Sequence, residues 1–511
     1  MFADLLRLRA ADQGSAVALG VQGGPSLTFG EWHRRSEAMA GGLSARAVRP
    51  GDRVVLVFDG RRWADLAMAY AAVQRVGGVA VVLSPDWPAP APADVAADCG
   101  AAVVVGPREL VGPGAAGSVR VAAPADLERG NHERGLPDAP RADDLGELVY
   151  ASGPLRRLRG VPGAHRTIGS ALDGTEVGQA GPGAWVHALP VGASGTDALW
   201  FAVAASRRRA VTVASFDPDG FCALVAREEA SRVGLTPSSA GMLVASAAPG
   251  RHDLSSVNEV LLAEGGARPT LLAGLAASFP SASVVDAGTL RSPSGSLTLL
   301  TYDRGRPGAL GRAEPAGRVR ILDDVGRAQP DGEVGHVRPA LAGGEAAPPW
   351  VAEADEAWWS SSSPVLGYLD QGLLYVVSSR RDVVRLPRAT VSAAEVGQVL
   401  CRHPAVTDAA VLGLPRNRTA ERLAAAVVAT SAVTADELRE GVRRRLGDAR
   451  TPQEILFTQR LPRNDSGCLL AGRLRRQLGL PVDRPLPERG DPDVQETIAA
   501  IWQRVLGREE V

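Results

Sequence analysis

The stretch RVVLVFDGRRWADLAMAYAAVQRVGGVAVVLSP, residues 53–85, sets the fold class of this 511-residue chain. Two short runs rich in β-branched residues, RVVLVF (53–58) and VAVVLSP (79–85), flank an Ala-rich amphipathic segment at 63–78. This spacing predicts a strand–helix–strand unit with parallel strands. The run AAVVVG (101–106) continues the alternation. We therefore expect an α/β fold whose large N-terminal domain is built from βα-layered sheets.

The pattern of apolar and polar residues changes near residue 378, where a smaller unit with helix and strand patterns of its own begins. The sequence predicts a large domain at residues 1–377 and a small α+β domain at residues 378–482. The Pro-rich, charged run at 483–493 is typical of a linker. Residues 494–511 carry apolar residues at helical spacing, which predicts a final helix.

Composition argues against several functional classes. The formal net charge is -1, so no electrostatic bias favours nucleic acid. No run approaches the ~18 apolar residues of a membrane span, and the start lacks the apolar stretch of a signal peptide. The four cysteines lie far apart, without a CxxC pair, and the seven histidines are too few to suggest a metal site. We expect a soluble, cytoplasmic protein with reduced thiols, no metal, and no nucleic-acid or membrane partner.

Arginine accounts for all 56 basic residues, and lysine does not occur. At the ordinary level of ~6%, about 30 lysines would be present in a chain of this length. A GC-rich genome favours arginine codons and explains most of this bias, but complete absence is harder to reach by drift. Arginine replaces lysine as a solvated charge, but not as a compact ammonium inserted between two oxygens. Mechanisms that need a lysine ammonium are therefore excluded.

Four segments together resemble one enzyme superfamily through their order and spacing. They are LTFGEWHRRSEAMAGGLSARAVRPGDRVVLVF (27–58), PGALGRAEPAGRVRILDDVGRAQPDGEVGHV (307–337), GLLYVVSSRRDVVRLPRATVSAAEV (372–396) and LPRNDSGCL (461–469). The chain resembles, over almost its whole length, the adenylate-forming superfamily, which includes acyl-CoA synthetases and the adenylation domains of nonribosomal peptide synthetases. The resemblance implies attack of a carboxylate on the α-phosphate of ATP, giving an acyl-AMP, and transfer to a thiol of coenzyme A or a carrier protein.

The phosphate loop, which in that superfamily reads YTSGTTGxPKG, here reads YASGPLRRLRG from Tyr150 to Gly160. The matching and replaced positions that we assign to the former nucleotide site are Ser152, Gly153, Pro154, Leu155, Arg156 and Arg159. Proline removes a backbone donor and fixes φ, which argues against a phosphate cradle of the usual form. The alternative is that the arginine side chains, including Arg157, bind an anion instead.

Further positions marked by the resemblance also carry replaced residues. Ala287-Gly288-Thr289-Leu290-Arg291 stands where the superfamily has YGxTE, so that Arg291 occupies the place of the magnesium-holding glutamate. Pro364, or Val365 if the register shifts by one, stands at the ribose-binding aspartate, and Ser379 at the ribose-contacting arginine. The remaining positions are Ala267 in the loop near the adenine pocket, Arg381 at the hinge aspartate, and Cys468 at the lysine that bridges the carboxylate and the α-phosphate.

Three small residues mark the former acyl pocket. Gly192, Ala193 and Ser194 replace the bulky aromatic or histidine of the superfamily, so a cavity is possible there, although its ligand cannot be read. A catalytic thiol at Cys468 stays open as an alternative to simple loss. His165 and His187 are interpreted as packing or capping residues rather than bases.

These replacements lead us to expect a catalytically inactive adenylation-like domain of a nonribosomal peptide or polyketide assembly line. It would position an acyl or peptidyl carrier domain and neighbouring modules, without catalytic residues and without cofactors, because ATP and magnesium binding would be lost. Residues 494–511 resemble the first helix of such a carrier domain. The alternative is an enzyme on the same fold: an acyl- or aminoacyl-adenylate ligase, or an ATP-independent acyl-transfer enzyme that acts on a carrier-bound substrate.

Overall fold

The computed structural model describes most of the large domain and most of the small one. The described ranges are 2–84, 92–111, 119–129, 136–150, 160–166, 183–192, 203–204, 208–263, 267–291, 297–306, 308–314, 317, 319–323, 327–339, 365–379, 383–386, 389–415, 421–462 and 471–480.

Most helices in these ranges are short, and seven of the twelve begin at a proline or directly after a capping threonine. They are α1 (Phe2–Gln13), α2 (Phe29–Ala45), α3 (Trp63–Arg75), α4 (Pro92–Asp98), α5 (Arg108–Val111), α6 (Pro124–Glu128), α7 (Pro218–Arg227), α8 (Pro237–Ala245), α9 (Pro269–Ser278), α10 (Ala393–Leu400), α11 (Ala435–Leu446) and α12 (Ala471–Gln477). Single 3-10 turns lie at Ala248–Gly250 and Asp448–Arg450.

The strands of the large domain are β1 (Val17–Val21), β2 (Ser26–Thr28), β3 (Arg53–Val57), β4 (Val79–Leu83), β5 (Val103–Val105), β6 (Arg120–Ala122), β7 (Leu145–Tyr150), β8 (Gly160–Ala164), β9 (Trp185–His187), β10 (Ala210–Thr212), β11 (Arg232–Leu235), β12 (Glu259–Leu262), β13 (Ser283–Arg291), β14 (Leu297–Thr301), β15 (Gly311–Glu314), β16 (Val319–Leu322), β17 (Gly335–Pro339), β18 (Val365–Asp370) and β19 (Leu373–Ser379). Those that follow are β20 (Val383–Leu386), β21 (Ala389–Ser392), β22 (Val406–Pro415), β23 (Glu421–Ala429) and β24 (Glu454–Phe457).

A six-stranded sheet contains the strand–helix–strand unit that the sequence predicts. Its strand order is β6-β5-β3-β4-β7-β8, and all neighbours except the β7–β8 hairpin run parallel. β3 and β4 pair with Val55 opposite Val81, and α3 connects them. The valine-rich runs form strands because β-branched side chains pack well on a pleated surface that is buried on both faces.

A thirteen-stranded sheet forms the second layer, in the order β16-β17-β18-β19-β15-β14-β13-β12-β11-β9-β10-β1-β2. Its centre, from β13 through β12, β11, β9 and β10 to β1, is parallel. The strands beyond β13 are antiparallel. One apolar core joins helices α1 to α3 with residues of both sheets, such as Leu56 and Leu261. Trp32 is fully buried in that core and donates its indole N–H to the carbonyl oxygen of Ala67 at 2.9 Å.

Three helices begin with a threonine whose side chain satisfies exposed backbone donors. Thr28 and Glu31 form a reciprocal capping box at α2, and Thr434 with Glu437 does the same at α11. At α8 the partner of the capping threonine is a serine. Each box fixes where its helix starts, because it pairs amides that have no partner within the helix.

The small domain is built around β22, β23 and β24. β22 and β23 are antiparallel, and β24 joins β23 in parallel. Val396 of α10 and Leu438 and Val442 of α11 are buried against one face of this sheet, whereas Leu474 of α12 is buried with residues of the other face. A separate two-stranded hairpin, β20–β21, precedes the sheet.

The architecture therefore has the two parts that the sequence predicts, a large α/β domain followed by a small α+β domain. The exact boundary at residue 378 stays a prediction. The proposed linker and the carrier-like helix at 494–511 lie outside the described residues. Within the described ranges, none of the helices combines the length and the apolar character that crossing a membrane requires.

Candidate functional site

The parallel strands of the thirteen-stranded sheet end in a common row. His187 lies opposite Thr212 of β10 and Gly234 of β11, and Leu262 lies opposite Asp286. In open α/β sheets, ligands bind outside the carboxyl ends of parallel strands. Several segments marked by the sequence follow these strand ends. The edge is therefore the candidate site.

Asp286 lies at this edge, in the part of β13 that precedes the replaced YGxTE motif. Its side chain is buried, and its Oδ1 accepts a 2.9 Å hydrogen bond from the backbone N–H of Gly288. The pairing of β13 with β14 shifts register between Asp286 and Leu290, which indicates a bulge. Ala287 and Leu290 are buried on this irregular strand. Asp286 therefore stabilises the local turn of the chain at the position where the motif lies.

Arg291 ends β13, where its backbone pairs with Leu297. Its side chain lies outside the described part of the structure. The same is true of the loop at 264–266, although Ala267, which ends it, is buried in the core beneath α9.

The turn from Ala188 to Gly192 connects the two sheets. Leu189 and Ala263, which follow β9 and β12, are buried against one another. Gly192 has φ +75°, and a Cβ at this position would lie 3.2 Å from the carbonyl oxygen of Val82 at the end of β4. Only glycine adopts this conformation without strain. The turn therefore packs against the ends of both β4 and β12. Ala193 and Ser194, which complete the predicted acyl pocket, lie outside the described residues.

His187, the last residue of β9, contacts this turn through its side chain. Its Nδ1 accepts a hydrogen bond from the N–H of Leu189 at 3.4 Å. The imidazole contacts the ring of Trp63 edge-on, with 4.9 Å between ring centroids. Complete burial lowers the pKa of His187 to about 3, so the ring is neutral at neutral pH. It is therefore unsuited to neutralising a phosphate charge.

The predicted phosphate loop connects β7 to β8, and these strands form an antiparallel hairpin whose last described pair is Tyr150 and Gly160. The positions from Ser152 to Arg159 lie outside the described residues. Tyr150 is buried, and its hydroxyl donates a 2.7 Å hydrogen bond to Oδ2 of Asp98 at the end of α4. Burial, and then this bond, raises the pKa of Tyr150.

His165 follows β8 and is also buried. Burial is the main reason that its pKa falls to about 4, with Asp144 acting in the opposite direction. Its backbone N–H donates to the carbonyl oxygen of Asp144 at 3.0 Å. Like His187, it is neutral near neutral pH.

The β18–β19 hairpin brings together two positions that the resemblance assigns to ribose contacts. Val365 pairs directly with Ser379 at the open end of the hairpin. Farther along, Tyr368 and Tyr375 stack across the strands with 4.9 Å between ring centroids. Pro364, Arg381 and Cys468 lie outside the described part of the chain. The roles predicted for all these positions remain predictions.

Sequence reasoning missed two features of this region. Asp98 is separated from Tyr150 by 52 residues, and no local pattern links them. Asp286 is acidic within an otherwise apolar strand, VVDAG, and that contrast was a readable signal of a special role.

A protein metal site needs several acidic, histidine or cysteine side chains close together. Across the described ranges, no group of three or more of them is placed to hold an ion. Magnesium that arrives with a nucleotide needs only one or two protein carboxylates. The residue at the marked magnesium position is Arg291, a cation, which does not fit that role.

Comparison with known proteins places these features in a family. The model described as AMP-binding enzyme matches residues 6–339, and that of the AMP-binding enzyme C-terminal domain matches residues 395–467. A feruloyl-CoA synthase from an Amycolatopsis species is 29% identical over 488 residues, covering 93% of this chain and 98% of that protein. A 4-chlorobenzoate–CoA ligase from an Arthrobacter species is 25% identical over 525 residues, covering 95% and 97%.

The fold is shared with solved structures. ATP-bound MatB from Rhodopseudomonas palustris aligns with a TM-score of 0.77 and 21% identity, over 93% of this chain and 99% of that one. Together with the two family models, this likeness confirms the expected α/β fold with a large N-terminal and a small C-terminal domain.

The same comparisons correct two expectations. The prediction of an inactive assembly-line domain is wrong, because relatives matched along nearly their whole length are named as acyl-CoA synthases and ligases. The prediction that ATP and magnesium binding are lost is also wrong for a chain matched by a family named for AMP binding. Both errors treated the replaced motif residues as sufficient proof that the nucleotide site was lost. Backbone amides also bind phosphate, and a replacement by any residue other than proline leaves the amide in place.

Proposed function

Because this chain belongs to the AMP-binding enzyme family, we propose that it activates a carboxylic acid with ATP and transfers the acyl group to coenzyme A. The observation that carries the proposal is the match to feruloyl-CoA synthase over 93% of this chain and 98% of that protein. Such a match includes both domains, which an acyl-CoA ligase requires.

The proposed reaction has two steps. A carboxylate oxygen attacks the α-phosphorus of ATP, the bond to the bridging oxygen breaks, and pyrophosphate leaves. The thiol sulfur of coenzyme A then attacks the acyl carbon, AMP departs, and the thiol proton is released to water or a base. The first step needs positive charge or hydrogen-bond donors directed at the phosphate oxygens.

Lysine does not occur in this chain, so we propose that arginine supplies that charge. Arg156 and Arg159 lie within the segment that corresponds to the phosphate loop. A guanidinium binds phosphate through two parallel hydrogen bonds and stays charged at all relevant pH values. We therefore propose an altered nucleotide site, in which arginine side chains replace the lysine and part of the loop contacts. No step is assigned to magnesium.

The acid is proposed to be aromatic. The named relatives act on feruloyl and 4-chlorobenzoate groups. In this chain, small residues lie near the strand ends of the candidate site, namely Gly192, Ala263 and Ala287, together with the polar His187, Thr212 and Asp286. Small side chains leave space for a planar ring.

Pyrophosphate exchange tests the proposal. The intact chain is incubated with ATP, labelled pyrophosphate and single acids: ferulate, 4-coumarate, 4-chlorobenzoate, malonate, acetate and phenylalanine. We expect exchange that depends on an aromatic acid, with no signal when the acid is omitted. A nucleotide control uses thermal unfolding: AMP at about 100 times its Kd should stabilise the fold by roughly 2.7 kcal/mol.

Two outcomes would count against the proposal. Exchange at background with every acid would show that the chain does not form an acyl-AMP. An unchanged thermal unfolding midpoint with AMP or ATP would show that it does not bind the nucleotide. A carrier-domain partner and a cytoplasmic location both stay predictions from the sequence.

A further inference from the structure

His187 is a buried, uncharged imidazole at the candidate site, and the proposed reaction does not use it. It ends β9 in the row of strand ends, and its carbonyl oxygen accepts a 3.0 Å hydrogen bond from the N–H of Val213. Gly234 faces it from the next strand, where a Cβ would lie 3.0 Å from the Cβ of His187. The side chain is thus fixed in place by its backbone and its neighbours.

The imidazole contacts both the turn and the helix α3, which packs with the six-stranded sheet. Nδ1 accepts from the amide of Leu189, two residues ahead in the turn. The ring also meets Trp63 edge-on, at the start of α3. The histidine therefore contacts both the turn at Ala188–Gly192 and α3, the helix that connects β3 and β4 of the six-stranded sheet.

A small cavity lies beside the ring. His187 and Thr212 line it together with apolar residues such as Leu19 and Ala210, and its volume is about 10 Å³. That volume corresponds to about one water molecule. The hydroxyl oxygen of Thr212 is buried and has no hydrogen-bond partner among the described residues. The cavity is too small for an organic ligand.

The tautomer follows from these contacts. Because Nδ1 accepts a hydrogen bond, the proton of the neutral ring resides on Nε2. Complete burial holds the pKa of His187 at about 3, so this tautomer persists across the neutral range.

We propose that His187 is a positioning residue: by accepting the Leu189 amide at Nδ1, it fixes the turn Ala188–Gly192 and so shapes one wall of the pocket for the acid. The effect on acid binding rests on the proposed function, whereas the contact between the imidazole and the turn does not. Leu189 is packed on Ala263, and Gly192 closely approaches Val82, so a displaced turn changes the space between the two sheets.

The first test is spectroscopic and needs no substrate. The ring nitrogens of ¹⁵N-histidine-labelled protein are observed by NMR, and the His187 signals are identified by their loss in His187→Asn. We expect an unprotonated Nδ1 and a protonated Nε2 that do not change between about pH 8 and pH 5. Titration near the ordinary value of ~6.5, or a proton on Nδ1, overturns the proposal.

The second test compares three variants. Asn places its amide oxygen near the position of Nδ1, Gln places its oxygen near the position of Nε2, and Leu has no acceptor. Hydrogen exchange of the peptide that contains Ala188–Gly192 should be close to wild type in His187→Asn and faster in His187→Gln and His187→Leu. Equal exchange in all three variants overturns the role of Nδ1. His165→Leu, which removes a second buried histidine, is the matched control and should leave this peptide unchanged.

Kinetics supplies the third readout. In His187→Leu we expect the KM for the aromatic acid to rise about five-fold or more, with the KM for ATP and kcat nearly unchanged. Equal rises for acid and ATP contradict a role in the acid pocket. If the wild-type protein shows no exchange with any acid, the proposed function fails, and NMR and hydrogen exchange alone decide whether His187 holds the turn.

Discussion

The hydroxyl of Tyr150 and the carboxylate of Asp98 are joined by a 2.7 Å hydrogen bond. This contact links the first residue of the predicted phosphate loop to the end of α4. Across the hairpin, a Cβ on Gly160 would lie 3.0 Å from the Tyr150 ring, so the ring also occupies the space beside the last residue of the loop. The Tyr150 side chain therefore lies beside both ends of the loop.

Tyr150→Phe should remove this bond and keep the packing of the ring. Because Asp98 is exposed and water replaces the lost donor, we expect the free energy of unfolding to fall by only about 1 kcal/mol. Urea denaturation measures the change. Tyr302→Phe, a hydroxyl deletion distant from the loop, is the control. A fall of several kcal/mol would show that the bond supports more of the fold than these contacts indicate.

The two buried histidines predict a loss of stability in mild acid. Burial lowers the pKa of His165 to about 4 and of His187 to about 3, below the ordinary value of 6.5. The unfolded chain therefore takes up protons first as the pH falls through 6.5, and the equilibrium shifts toward it. Each histidine contributes a slope of up to roughly 1.4 kcal/mol per pH unit below that point.

Denaturant unfolding at several pH values between about 7.5 and 5 checks this dependence. His165→Leu should reduce the slope by about half in this window, because one of the two titrating groups is gone. An unchanged slope in that variant would contradict the buried, neutral state of His165.

Gly192→Ala should destabilise the turn at the candidate pocket. The residue has φ +75°, where an L side chain is strained by roughly 1–2 kcal/mol, and the new Cβ would approach the carbonyl oxygen of Val82 to 3.2 Å. The thermal unfolding midpoint should fall. Gly241→Ala is the matched control, because this glycine lies within α8 with nothing within 4 Å of a new Cβ, and it should gain up to about 1 kcal/mol. Equal shifts of the same sign would contradict the conformational argument.

The fold could be predicted from the sequence because its signal is local. β3, α3 and β4 lie within the quoted stretch, and the change from valine-rich to alanine-rich composition marks each element. The site could be predicted only in part. The contact between Tyr150 and Asp98, and the register that aligns His187 with Thr212, arise from strand order, which no short motif records. The functional prediction failed for a different reason: replaced side chains were interpreted as a lost site, whereas relatives matched along nearly the whole chain are named as acyl-CoA synthases and ligases.

Cys468→Lys distinguishes an altered nucleotide site from a lost one. Cys468 stands where the resemblance places a lysine that bridges the substrate carboxylate and the α-phosphate. If arginines hold ATP as proposed, an added ammonium supplies a further donor to the transition state, and one such donor is commonly worth ~10² to 10³ in rate. We expect pyrophosphate exchange with an aromatic acid to rise at least about ten-fold. Cys468→Ala is the control, and its exchange should match that of the wild-type chain. Loss of exchange in Cys468→Ala would instead mean that the thiol itself takes part in the reaction, while no gain from Cys468→Lys would mean that this position does not face the phosphate.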